Sequence, residues 1–106
     1  MTAKRIGTAG SKILSTPNML ALMEAAALEL AKSYLDEGMT TVGAEAHVRH
    51  LAPTPVGMKV TATATLRSID RRKMWFDIEV TDEKGKCGEG SHLRIMVPNR
   101  DRSQNG

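Results

Sequence analysis

The spacing of apolar residues changes partway along the chain, and the change divides it into one helix and a series of strands. Across STPNMLALMEAAAL, residues 15–28, apolar side chains fill nearly every position of a 3.6-residue period. Thr16 suits a helix cap, Pro17 the first helical position and Gly38 a stop, which predicts a helix from Pro17 to Asp36. Its first half is apolar almost all round and should be enclosed by protein, whereas Glu29, Ser33 and Asp36 collect on one side and can face water. From residue 40 the period becomes 2. In TTVGAEAHVRH, Val42, Ala44, Ala46, Val48 and His50 share one face, and Glu45, His47 and Arg49 the other. The stretch LAPTPVG connects to GMKVTATATLRSID, where Val60, Ala62, Ala64 and Leu66 alternate with threonines and charges. RKMWFDIEVTD turns Met74, Phe76, Ile78 and Val80 inward, and after the turn DEKG a last strand carries Leu93, Ile95 and Val97 on one face.

One long helix thus precedes four strands, and short turns make the last three an antiparallel meander. An alternating sheet needs a cover on one face, and only the helix can supply it. The predicted class is α+β, with a central helix wrapped by a curved antiparallel sheet. So few elements leave open edges and little burial, so dimerisation is expected to complete the sheet. The chain is read as one domain over residues 1–106, with 1–12 and 99–106 as flexible ends.

Composition narrows the function. At 41% hydrophobic and 25% charged, the chain has the balance of a soluble globular protein. Its aromatics are only Tyr34, Trp75 and Phe76, so Ala, Val, Leu, Ile and seven Met must build the core. That scarcity, with no recognised motif, argues against nucleic-acid binding. Net charge is +3, and apart from Arg71, Arg72 and Lys73 in a turn the basic residues are dispersed. Such a balance suits a small ligand bearing phosphates. The single Cys87 excludes an internal disulfide and a multi-cysteine zinc site, and no metal is expected. With no leader-like run and no stretch long enough to span a bilayer, a cytoplasmic protein without a membrane partner is expected.

Candidate chemistry begins with Glu24. Its helical neighbours Leu20, Ala21, Ala27, Leu28 and Ala31 offer no side-chain hydrogen bond, and on a packed stripe an unpaired carboxylate is costly. Such an acid either escapes to solvent or a structural partner, or is kept as a nucleophile or general base. Strand parity aims His50 at the same interior, while His47 falls on the polar face and the role of His92 stays open. Thr16 is explained by capping alone, and it stands about 12 Å along the axis from Glu24. If both act on one substrate, the ligand must bridge them or one must come from a second subunit. The glycines of GKCGEGS lack the context of a phosphate loop and mark bulges or close backbone approach.

STPNMLALMEAAA, TTVGAEAHVRHLAPTPVGMKVTATA and GEGSHLRIMV resemble the hotdog thioesterases of the fluoroacetyl-CoA type, from about Ile13 to Val97. The resemblance implies a hotdog fold and a catalytic set of Thr16, Glu24 and His50. It also implies that Gly43 lines the thioester pocket and that Arg94 binds substrate, with Arg94 and nearby cations meeting the phosphates of coenzyme A. Coenzyme A would be part of the substrate, and no resident cofactor is implied. Family members carry a longer segment ahead of the threonine, so selectivity for fluoroacetyl groups does not carry over. The first strand is accordingly expected to be short, missing or supplied differently. The implied activity is hydrolysis of a small acyl-CoA in a homodimer. A non-catalytic acyl-CoA binder and a hotdog enoyl-thioester hydratase are the alternatives.

Overall fold

The computed structural model describes residues 3–9, 15–54 and 57–99. In chain order these form β1 (Ala3–Ala9), α1 (Thr16–Lys32), β2 (Met39–His50), β3 (Lys59–Asp70), β4 (Lys73–Asp82) and β5 (Gly85–Pro98). The strands make one sheet in the order β1-β3-β4-β5-β2, with every neighbouring pair antiparallel. The meander β3-β4-β5 matches the expectation.

β1 corrects the expectation of a flexible start. It pairs with β3 from Ala3↔Thr65 to Ala9↔Lys59. The free edge of β3 presents backbone donors and acceptors that need partners, and a backbone ladder can supply them without an apolar code in the added strand. At the other end, Asn99 donates its N–H to the Gly38 carbonyl at 2.8 Å. The rest of the two expected flexible ends lies outside the described residues.

The helix starts one residue earlier than expected. Ser15, in extended conformation, is the N-cap, and its Oγ accepts from the Asn18 N–H at 3.2 Å. Thr16 is therefore the first helical residue, and its hydroxyl is released from capping. Replacing Ser15 with Ala should cost about 1 kcal/mol, read by denaturant unfolding. At the other end α1 stops at Lys32, short of Asp36. There the Ser33 hydroxyl donates to the Leu30 carbonyl at 2.8 Å and competes with the helical ladder. Gly38, at φ 85°, serves instead in the turn where the Met39 N–H donates to the Asp36 carbonyl.

α1 buries Met19, Met23, Ala26, Ala27, Leu30 and Ala31 against one face of the sheet. That face is built from Val60, Ala62, Ala64 and Leu66 of β3 and Met74, Phe76, Ile78 and Val80 of β4. Alanine on both surfaces lets helix and sheet approach closely, and the methionines reach further. A Cβ on Gly88 of β5 would strike the Met19 sulfur, and one on Gly90 would stand 2.9 Å from Met23 Cε. Gly88 makes room for a methionine tip and Gly90 chiefly for the His47 carbonyl of β2, so close approach explains both.

β2 and β5 depart from the expected alternation in ways that shape the site. The register of β2 against β5 shifts between Gly43 and Glu45, so Ala44 is an extra residue in a bulge. The bulge switches parity: Thr41 and Gly43 lie toward the helix, where Val42 was expected. Val42 points away and is 49% exposed, while Val48 packs on the core as expected. On β5, Gly88, Gly90, His92 and Arg94 face the helix, because their cross-strand partners include Phe76 and Met74 of the core. Leu93, Ile95 and Val97 therefore occupy the outer face. The polar half of this strand is the one turned inward.

Candidate active site

Two groups of the expected residues come together, one at the end of β2 and one at its central bulge. The first lies where the start of α1 meets the end of β2. Thr16 Oγ1 and His50 Nδ1 share a hydrogen bond at 2.9 Å. The early cap on Ser15 makes this possible, because it leaves the threonine hydroxyl for the imidazole. His50 Nε2 is buried and has no hydrogen-bond partner among the described residues. His47, by contrast, is on the outer face as expected, its ring 3.6 Å from the Glu45 carboxylate.

The second group surrounds the bulge. Arg94, 8% exposed, donates from Nε to Thr41 Oγ1 at 2.7 Å and from Nη2 to the Thr41 carbonyl at 3.1 Å. Its Nη1 donates to His92 Nε2 at 3.1 Å. A guanidinium can only donate, so His92 Nε2 is the acceptor, and the ring proton sits on Nδ1. That Nδ1–H donates to the Glu45 carbonyl at 2.8 Å. Burial lowers the pKa of both His92 and Arg94. The Arg94 charge lowers that of His92 further, while the Glu45 carbonyl bond and the Glu24 carboxylate act in the opposite direction. Glu24 also favours the charged form of Arg94, so this carboxylate is the acid whose field reaches the buried cation.

Glu24 itself is half-buried, on the flank of the packed stripe instead of within it. Leu20 and Leu28, one turn to either side, are half-buried as well, and Ala21 is exposed. The field of Glu24 reaches His92 and Arg94, the cross-strand partners of Ala46 and Gly43 in β2, whose residues 42–47 are all exposed. A helix flank and an edge strand are thus uncovered in the single chain. That uncovered flank is why the expectation of an enclosed first half fails.

Gly43 faces the second group directly. A Cβ there would meet His92 Cε1 at 3.3 Å and Arg94 Nη1 at 3.6 Å. Among the described residues, three of the five N–H groups of Arg94 are occupied, which leaves two for a neighbour inside the site. Sequence reasoning missed Thr41 as the partner of Arg94 and left His92 without a role. The signal available was Gly43 itself, since an isolated glycine in an alternating strand marks a bulge or a close approach.

Thr16 and His50 do not meet Glu24, Gly43 and Arg94 within one chain. Seven steps of strand separate Gly43 from His50, roughly 23 Å at about 3.3 Å per step. The helix holds Thr16 and Glu24 about 12 Å apart along its axis.

A single helix laid on one face of a five-stranded antiparallel sheet is the architecture of the hotdog class. Solved structures agree. A Thermus thermophilus protein of the thioesterase superfamily superposes with a TM-score of 0.90 at 20% identity, over 98% of this chain and 87% of its own. The fluoroacetyl-CoA thioesterase FlK superposes with a TM-score of 0.87 at 24% identity, over 98% and 91% of the two chains. The family model of the fluoroacetyl-CoA-specific thioesterases matches residues 1–100, and the chain belongs to that family. A curated relative, the fluoroacetyl-CoA thioesterase of Streptantibioticus cattleyicolor, is 34% identical over 86 residues, which make up 81% of this chain. The match spans 62% of that relative's length. No helix among the described residues is long and apolar enough to cross a membrane.

Proposed function

We propose that the chain is an acyl-CoA thioesterase whose working site forms between two copies. One observation carries the reading: the Thr16–His50 pair and the Glu24–Gly43–Arg94 group lie seven positions apart along β2, an edge strand with no partner on its outer side among the described residues. Antiparallel pairing of two β2 strands about a two-fold axis between Ala46 and His47 sets Gly43 of one opposite His50 of the other. Glu24, Gly43 and Arg94 of one chain then face Thr16 of the partner subunit and His50 of the partner subunit. The same pairing covers the exposed helix flank and removes an open sheet edge.

The chemistry follows from these groups. The backbone at Gly43 and the free N–H groups of Arg94 polarise the thioester carbonyl. Glu24 either attacks that carbonyl carbon, expelling the thiolate and forming an acyl–Glu24 anhydride that water then cleaves, or takes a proton from a water that attacks the carbonyl and breaks the C–S bond. His50, oriented by the Thr16 hydroxyl, delivers the proton to the departing thiolate through Nε2. Water and acyl-CoA are consumed, and a carboxylic acid and free coenzyme A leave. The substrate class is small acyl esters of coenzyme A, for which the family's fluoroacetyl group supplies the size.

Release of free thiol from acetyl-, fluoroacetyl- and longer acyl-CoAs tests the proposal, with an enoyl-CoA included. Turnover with one thiol per ester cleaved is expected. Loss of the enoyl double bond without thiol would instead establish a hydratase, and tight binding without turnover would establish a binder.

A further inference from the structure

We infer that His92 is a positioning residue: its neutral imidazole locks the Gly43–Glu45 bulge and the Arg94 guanidinium into one fixed relation beside Glu24. The inference rests on the thioesterase reading above. A single ring, 2% exposed, touches three parts of the site at once. Its Nδ1–H holds the Glu45 carbonyl at 2.8 Å, and its Nε2 receives Arg94 Nη1 at 3.1 Å. Its Cε1 lies 3.3 Å from the position of a Cβ on Gly43. A bulge interrupts the strand ladder, so a carbonyl there needs a donor from elsewhere, and His92 supplies it. A buried guanidinium likewise needs acceptors, and His92 adds a third to the two that Thr41 provides.

The clamp works only while the ring is neutral. A second proton would place an N–H against the Arg94 N–H and set two cations side by side. The charged groups facing the ring are Arg94 on its own strand and Glu24 on α1. From β4 its cross-strand neighbour is Phe76, and from β2 it receives only the Glu45 carbonyl. Burial and Arg94 outweigh the opposing pull of Glu24 and that carbonyl, so the neutral form persists below the ordinary histidine range. Stability from this group is complete above about pH 6.5, the ordinary histidine value, and declines as pH falls toward the lower folded value.

Two variants separate the contacts. In His92→Gln the amide can stand where Nε2 stood and accept from Arg94, but nothing donates to Glu45. In His92→Asn the amide can stand where Nδ1 stood and donate to Glu45, but Arg94 loses its acceptor. Both should lower kcat with KM within about threefold of the parent, because a misplaced group costs rate more than binding. Asn should lose about 100-fold and Gln about 10-fold, since Gln keeps Arg94 in place. Folded variants that both retain kcat within twofold would overturn the inference, as would a loss confined to KM. Nitrogen-15 NMR of the unaltered protein reads the same claim without any substitution. The Nδ1–H tautomer is expected at pH 7, and an Nε2–H or charged ring there would refute the clamp. If the parent itself releases no thiol, the failure belongs to the thioesterase reading and is visible before any variant is made.

Discussion

Glu24→Gln is expected to cut thioester hydrolysis by about 1,000-fold or more while the chain still folds. Glutamine keeps the size and hydrogen-bonding reach of the carboxylate, but it can neither attack a carbonyl nor take a proton from water. Because Glu24 is half-buried on the flank of α1, the substitution opens no cavity among Met19, Met23, Ala26 and Ala27. Free-thiol release at saturating acyl-CoA is the measurement, and parental turnover would remove Glu24 from the chemistry. A mixing experiment extends the test to the composite site. Glu24→Gln chains carry a sound Thr16–His50 pair, and His50→Ala chains carry a sound Glu24. Mixed and allowed to exchange, they should regain roughly a quarter of parental activity, because half the dimers are mixed and each holds one intact site. No recovery in a verified mixed dimer would place the whole site within one chain. A chain that stays monomeric at assay concentration yet turns over would do the same.

The parts of the fold that followed from pattern are those where burial alone decides orientation. β3 as far as Leu66 and β4 as far as Val80 alternate because α1 covers one of their faces, and Val60 to Leu66 and Met74 to Val80 fall inward as their period implies. β1 escaped notice because its place depends on the backbone of β3, which is not written in side-chain hydrophobicity. The cap fell on Ser15 because Ser-Thr-Pro offers two hydroxyls and both satisfy the same rule. That one-residue shift matters to the site, for it hands the Thr16 hydroxyl to His50. Around Gly43 the alternation argument failed outright, since it assumes no bulge. A single extra residue exchanged Val42 for Thr41 on the inner face. The inward His92 and Arg94 defeat any reading that sends polar residues outward, because their cost is met by one another and by Thr41, a partnership made across 53 residues of chain. Glu24 lay between these cases: the period named its stripe, but its half-burial reflects a flank that one chain leaves uncovered.

Gly90→Ala is expected to be the most damaging single change to the fold, by more than about 3 kcal/mol or with no soluble folded chain at all. A Cβ at this position would collide with the His47 carbonyl oxygen and stand 3.0 Å from its carbon. That carbonyl belongs to the paired strand, where Val48↔Gly90 and His47↔Ser91 are adjacent rungs. Relief therefore requires the two backbones to separate, which breaks ladder hydrogen bonds on the strand that carries both halves of the site. Met23 Cε, at 2.9 Å, could swing aside, but its movement would not free the carbonyl. Gly88→Ala is the control. There the Cβ would press mainly on the Met19 tip and stand 3.3 Å from the Arg49 carbonyl, so methionine flexibility absorbs most of the strain. A loss of about 1–2 kcal/mol is expected for that variant, with the fold retained. Thermal unfolding of the two proteins side by side distinguishes them. If Gly90→Ala melts within a few degrees of the parent, β2 and β5 do not approach as closely at this rung as the geometry requires, and the rigid spacing between Gly43 and His50 loses its basis.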